Sequence, residues 1–515
     1  METASENEWE TSMTFAKPSE RIQISLFPTP ITPTSVADFV TPETYTGLAG
    51  FHKYWGKKPT ESLSYLIENC TSEGDIVMDP FLGSGLIARE CLERNRRFIG
   101  IDINPFSIEH TFFLLNLPSD QEYYQALIEI EQSVAEKINS TYKTSGNRVA
   151  SHYLWEKDKI VSIWIKPETG RNRIEIKPSP NDLNSFSSYQ GYRPKHFRDL
   201  SFFTNSRINV KPTMSVSDIF TGRAMRNIDL LIEAISKYPL HLKRALLLTL
   251  TSSVGQMSNM VFAIKNRSNG KRNRNGNKIE VGSWVIGFWL PDTHFEINVW
   301  NCFKNRANKL LKALPQQIQS AYAISNEPSS IGTSAFDAWL MNADCRIALM
   351  KIPTESISFV CTDPPHSDRV PYLELSELWN SLLGYNVDFD REIVVSNAKE
   401  RQKSKSVYNA EMTEFFTEAS RVLKKDGYIA LYFNARDEES WQYLKCIENT
   451  SNSLKFVGCF PMFYSATSVV QDNRKGAMKN DFVILYQKRQ DNSEYQIPEA
   501  FVHIPGWSSR FPEKE

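Results

Sequence analysis

The chain has 515 residues, 41% of them hydrophobic and 23% charged, with a formal net charge of −1. That length and composition suit two to four domains with a sizeable buried core and exclude a low-complexity polymer. The charge is unevenly spread: Arg171 to Lys278 holds 19 Lys/Arg against 6 Asp/Glu, so the rest of the chain is acidic. A basic segment in a near-neutral protein points to a polyanionic partner, and the competing reading is a solvated, loop-rich insert.

Seven cysteines (70, 91, 302, 345, 361, 446 and 459) are scattered, with no Cys-x-x-Cys pair. They fit a reducing compartment and argue against a structural zinc site, so no metal is expected. No apolar run reaches the ~18 residues that a membrane span needs. The first ten residues carry Glu2, Glu6, Glu8 and Glu10, unlike a signal peptide. A cytoplasmic protein is expected.

In chain order, residues 1–48 read as an arm, Pro- and Thr-rich in "LFPTPITPTSVADFVTPETYTG". A compact α/β pattern follows from about 50 to 118, then a polar-faced helix over 119–140. Residues 141–215 are rich in Asn, Ser and Arg with aromatics between them. Residues 224–260 read as helices, "KNRSNGKRNRNGNK" (265–278) as a mobile basic loop, and "EINVWNCFKNRANKLLKAL" as a further helix. A β/α alternation returns from about 335 to 488, and the last 27 residues read as a weakly packed tail. The predicted fold class is α/β: a Rossmann-like sheet split between 49–140 and 330–490, interrupted by a basic, mostly helical insertion at 141–329, with a tail at 491–515.

"GDIVMDPFLGSGLIARECLERNRRFIGIDINP" (74–105) is a βαβ unit with a glycine loop after its first strand. Gly83 and Gly85 let the backbone approach a ligand, Asp79, Pro80 and Phe81 lead into the loop, and Asp102 ends the second strand where a carboxylate can accept both hydroxyls of a ribose. The loop is not the G-x-G-x-x-G of dinucleotide binders, and Asp79 would repel a pyrophosphate. A ligand with an ammonium, a sulfonium and a ribose suits the acid better, which describes S-adenosylmethionine (AdoMet). Upstream, His52 and Lys58 in "FHKYWGKKP" precede a helix opened by Pro59 and could meet the methionyl carboxylate. In the second block Asp344 could reach the adenine amino group, or serve as a plain helix N-cap.

The strand "SISFVCT" runs into "DPPH" (363–366). An exocyclic amine is a poor nucleophile because its lone pair is delocalised into the base. It improves when its N–H groups are held by a carboxylate and an adjacent main-chain carbonyl fixed by prolines. Asp363, the carbonyl of Pro364 fixed by Pro364 and Pro365, and a stacking ring from His366 fit those roles for a base turned out of a duplex.

"DPFLGSG", "DPPH" and "HKYWGKKP" together resemble the amino-methylating DNA methyltransferases, which act on adenine N6 or cytosine N4 and carry an Asp/Asn/Ser-Pro-Pro-aromatic motif. "FFTEASRVLKKDGYIALYF" and "KNDFVILYQK" are similar to the elements that follow that motif. The resemblance covers roughly 50–118 and 335–488. It implies an AdoMet-dependent methyltransferase acting on double-stranded DNA, adenine N6 in the first place because Asp opens the motif. It also implies target recognition in the insert, a modification or phage-defence setting with a cognate restriction nuclease as partner, and a nucleoid-associated location. His366 departs from the family's usual Tyr or Phe.

Within the insert, Arg223, Arg226, Lys271, Arg272 and Arg274 are candidate phosphate contacts, while Trp284 and Trp289 read as core. The alternatives are a cytosine-N4 enzyme, an RNA guanine-N2 methyltransferase, and a DNA-binding subunit with an inactive site.

Overall fold

The structure is a computed structural model, and it describes residues 15, 31–40, 42, 45–167, 173–265, 279–283, 287–316, 322–326, 336–366, 370–435, 438–445, 447, 453–462, 481–489 and 497–512. Its strands in chain order are β1 (Ile76–Asp79), β2 (Arg97–Asp102), β3 (Ala150–Glu156), β4 (Lys159–Ile165), β5 (Ile174–Ile176), β6 (Ala263–Lys265) and β7 (Ile279–Val281). They continue with β8 (Thr293–Ile297), β9 (Ile324–Ser325), β10 (Ala338–Asn342), β11 (Ile357–Thr362), β12 (Leu423–Phe433), β13 (Leu454–Met462) and β14 (Asp481–Lys488).

Eight of them form one sheet in the order β13-β14-β12-β11-β1-β2-β10-β9. From β9 through β12 every neighbouring pair is parallel, and β14 runs antiparallel between β12 and β13. The central parallel strands are mostly apolar, as burial on both faces favours: IVMD in β1 and ISFVCT in β11 are wholly buried. Successive side chains alternate between faces. Val77, Phe98 and Phe359 therefore join one apolar cluster, and Met78, Ile99 and Val360 the other. β1 is flanked by β2 on one side and β11 on the other, so the strand order reverses at β1/β11, where open α/β sheets hold ligands beyond their carboxyl ends.

The glycine loop is built as its sequence predicts. Gly85 caps the helix Leu86–Glu93 in the left-handed region at φ +71°, and a Cβ there would lie 2.0 Å from Thr111 Oγ1. Gly83, at φ +53°, sits with a Cβ position 3.2 Å from a Tyr54 ring carbon. The helix over 120–130 starts at the Ser119/Glu122 capping box and passes through a π-turn at Glu131–Ala135 before ending at Ser140.

Three expectations change. First, the insert is not only helical. It also holds a four-stranded antiparallel sheet, β5-β4-β3-β8, and the pair β6-β7. Lys157, at φ +53°, turns β3 into β4, and "KIVSIWI" carries the buried pattern of a strand. The insert helices Gly222–Ile235, Leu240–Val254 and Val299–Leu311 share the apolar cluster of Phe106, Phe113 and Leu127. Second, both chain ends pack. Phe39 of the helix Val36–Val40 is buried against Tyr65 and Phe460. In the tail Phe501 is buried, and Ser508 exchanges both main-chain hydrogen bonds with Cys459 at 2.8 Å. Burying a phenylalanine contributes about 1.5–3 kcal/mol, enough to hold such a segment down. Third, Trp289 is 52% exposed and so is not core. Trp284 lies outside the described residues, as does most of the basic loop 265–278. No helix among the described residues is long and apolar enough to cross a membrane.

Candidate functional site

At the carboxyl edge of β1, β2, β10 and β11 lies a cleft partly open to solvent. Asp79 ends β1 and ties it to β11: its Oδ1 accepts the Thr362 hydroxyl at 2.6 Å and the Phe81 N–H at 3.0 Å. Asp102 ends β2 and closes the glycine loop, accepting the Gly83 N–H at 2.7 Å through Oδ2 and the Asn104 N–H at 2.8 Å through Oδ1. Burial pushes the Asp79 carboxyl up to about 7, with Asp102 and Asp363 adding like charge. Burial likewise pushes Asp102 up to about 6, against the two N–H groups that favour its charge.

Asp363 follows β11 directly. Its Oδ2 is 2.8 Å from Lys58 Nζ and its Oδ1 is 2.6 Å from His366 Nε2. Lys58, 7% exposed, also reaches Asp481 Oδ2 at 3.0 Å. Burial opposes its charge, but the two carboxylates hold the ammonium well above the usual lysine value.

His366 is 8% exposed, and its ring lies against Phe433 at 5.2 Å and 20°. Its Nδ1 lies beside the main-chain N and O of Asn434, at 3.0 and 2.9 Å. Nε2 is placed to donate to Asp363 Oδ1, while Nδ1 faces the Asn434 main chain. The Pro365 carbonyl accepts the Tyr408 hydroxyl at 2.6 Å.

Asp79, Pro80, Phe81, Gly83, Asp102, Asp344, Lys58, Asp363 and Pro365 therefore all line one cleft. Gly85 stands at its back as the helix cap, and Pro364 is buried beside it. Asp344 is an N-cap, accepting the Arg346 N–H at 2.9 Å, and its Oδ2 pairs with the Arg346 guanidinium at 2.8 Å.

Other placements depart from expectation. The His366 ring does not line the cleft, so its face is not offered to a base; it is turned inward by Phe433, Asn434 and Asp363. Lys58 meets carboxylates of the chain itself. His52 is buried away from the cleft, with Nε2 3.0 Å from Thr251 Oγ1 and its ring against Phe106 and Trp379; burial and His110 push its pKa well down. Arg223 is 1% exposed, pairs through two nitrogens with Glu296 at 2.9 Å and lies over Tyr153, an internal ion pair rather than a phosphate contact. Arg226 is half-buried, bonded to Asn227 and 5.8 Å over Tyr189. Lys271, Arg272 and Arg274 lie outside the described residues.

Sequence reading missed Tyr54, Tyr372, Asn104 and Asp481. Tyr54 and Tyr372 line the cleft with rings 6.2 Å apart and 18° from parallel. Tyr54 stands inside the quoted "HKYWGKKP", a signal that was available. No cluster of metal-ligating side chains exists among the described residues.

Residues 10–113 match the family model described as DNA methylase. Among curated proteins the chain is similar to the type II methyltransferase M.MjaII of Methanocaldococcus jannaschii, at 30% identity over 23% of this chain and 21% of that protein. It is also similar to the type II methyltransferase M2.DpnII of Streptococcus pneumoniae, at 46% identity over 10% and 20%. A third is the type II methyltransferase M.HpaI of Haemophilus parainfluenzae, at 47% identity over 10% and 17%. The chain spans about a fifth of the length of these relatives. The family match ends before Asp363–His366. Through residues 10–113, which hold the glycine loop and Asp102, the chain is similar to the DNA methylase family.

Proposed function

We propose that this chain is an AdoMet-dependent DNA methyltransferase that modifies the exocyclic amine of a base turned out of the duplex, adenine N6 in the first place. One observation carries the reading: Asp363 opens onto the same cleft as the glycine loop and Asp102, so an acceptor for an amine and a cofactor cradle share one space.

The cleft fits the cofactor by its chemistry. Asp79 and Asp102 offer negative charge and acceptors to an ammonium and a ribose diol, while Phe81, Leu82, Leu86 and Ile87 supply an apolar wall. Asp79, Pro80, Phe81, Gly83 and Asp102 would hold it, with Gly85 shaping the loop and Asp344 at the purine end. When bound, AdoMet supplies an electrophilic methyl group on a sulfonium. Asp363 accepts one N–H of the target amine, and the main-chain carbonyl that follows it accepts the other. Both bonds favour a tetrahedral nitrogen whose lone pair leaves the conjugated ring. Lys58 and His366 hold Asp363 in place through its two oxygens. The exposed basic residues of 141–329, with Arg226 and the segment of Lys271, Arg272 and Arg274, are the proposed duplex contacts. The biological setting is DNA modification or phage defence beside a cognate nuclease.

Incubation with methyl-labelled AdoMet and duplex DNA, single-stranded DNA or transfer RNA, followed by nucleoside analysis, tests this. Labelled N6-methyladenine from DNA is expected. Label confined to transfer RNA would overturn the reading, and N4-methylcytosine would overturn the choice of base.

A further inference from the structure

The acid proposed to hold the target amine is itself paired with a cation. Lys58 Nζ lies 2.8 Å from Asp363 Oδ2, and the lysine side chain is 7% exposed. Water screens so deeply buried a pair only weakly. Taken alone, the ammonium would cancel the negative charge on Asp363. A cancelled charge is a weak acceptor for an amine that gains positive charge as it is methylated.

A second carboxylate alters that balance. Asp481 Oδ2 lies 3.0 Å from the same Nζ, and its side chain is 9% exposed. Asp481 opens β14, whose Phe482 pairs with Phe433 at the end of β12. It therefore arrives beside the strand that carries Tyr432, whose ring centre is 5.4 Å from the Lys58 ammonium, and Phe433, on which His366 is stacked. Asp363 lines the cleft and Asp481 does not. Asp363, Lys58 and Asp481 together carry one net negative charge, and of the two carboxylates Asp363 is the more exposed, at 18%.

We infer that Asp481 is a positioning residue for methyl transfer: by sharing the Lys58 ammonium it leaves Asp363 the negative charge that the reacting amine needs. The inference rests on the proposed DNA methylation and assigns a role to a carboxylate outside the cleft. In that reaction the amine lone pair forms the bond to the methyl carbon and the carbon–sulfur pair returns to sulfur. Positive charge passes to the nitrogen, which then releases a proton to solvent. Negative charge beside that nitrogen acts more strongly on the transition state than on the neutral amine, so its loss falls on kcat.

The test uses the full-length protein and a duplex containing the site found by labelling. Asp481→Asn keeps the shape and an acceptor for Lys58 but removes the charge, and its kcat is expected to fall roughly 10- to 100-fold. Asp481→Ser, also uncharged, is expected to be as slow. Asp481→Glu keeps the charge and is expected to recover most of the rate. AdoMet affinity by calorimetry and KM for DNA are expected to stay near wild type in all three, because residue 481 lies outside the cleft. Wild-type kcat in Asp481→Asn overturns the inference, and a lowered urea midpoint beside it would mark a merely structural ion pair. Asp481→Glu as slow as Asp481→Asn overturns it too, since shape and not charge would then matter. So does a loss of AdoMet affinity as large as the loss of kcat/KM. A wild-type protein that labels no DNA overturns the underlying reading instead.

Discussion

His366 Nε2 lies 2.6 Å from Asp363 Oδ1, a short donor–carboxylate contact within one tetrapeptide. The ring acts edge-on, through nitrogen, where the family's Tyr or Phe would act through a face. Its partners also fix its plane, with Phe433 beneath and Asn434 behind. In the proposed reaction His366 is thus a positioning residue for the acid. Hydrogen bonds to charged groups are worth about 1.5–3 kcal/mol, so His366→Phe should lower kcat by roughly 10- to 150-fold with AdoMet affinity unchanged. His366→Gln retains a donor and should recover part of the rate. A His366→Phe enzyme as fast as wild type would show that the bond does not position Asp363.

The cleft acids give cofactor binding a predictable pH dependence. Asp79 titrates near 7 and Asp102 near 6 in the free protein, both raised by burial, so both are partly protonated at pH 6. A cationic ligand favours their ionised forms, and binding then releases protons. AdoMet affinity should rise as pH goes from about 5.5 to 7 and level off above, by at most about tenfold per unit for each group. Calorimetry in two buffers of different ionisation enthalpy would register the released protons at pH 6. The same shifts predict a stability contribution of the opposite sign: folding binds protons between the ordinary 3.8 and about 7, so the free protein loses stability as pH rises through that window.

Arg223 makes a structural prediction where a DNA contact was expected. It and Glu296 are both buried, with Thr141 and Thr221 as further partners. Removing one member leaves the other as an unpaired buried charge, at a cost of about 3–5 kcal/mol. Arg223→Met should therefore lower the urea midpoint clearly. Where the variant remains folded, the salt dependence of DNA binding should keep its wild-type slope. A lower slope with unchanged stability would return Arg223 to the DNA interface.

How much was legible follows from the range over which each residue finds its partners. Asp79, Gly83 and Asp102 could be read because strand, turn and helix lie within about 30 residues and the main-chain bonds to Phe81, Gly83 and Asn104 are short-range, although the bond from Thr362 to Asp79 is not. Asp363 could be read because prolines end a strand, ISFVCT, that is buried along its whole length. The orientation of His366 could not, because Phe433 and Asn434 stand almost 70 residues away and decide which way the ring turns. Arg223 reads as a phosphate contact until β8 brings Glu296 to pair with it. The tail misled because Gly458 leaves room for the Trp507 ring, whose nearest atom would be 2.4 Å from a Cβ there, and nothing local to residues 497–512 announces that slot.

The central claim is that Asp363 is the group on which methyl transfer to a DNA amine depends. It is tested most directly by comparing wild-type protein with Asp363→Ala for two readouts on the same preparations: methyl label transferred to duplex DNA, and AdoMet affinity by calorimetry. The account predicts that transfer falls to background while AdoMet affinity stays within a few-fold of wild type, since Asp79, Asp102 and the glycine loop are untouched. Transfer that persists in Asp363→Ala would contradict it.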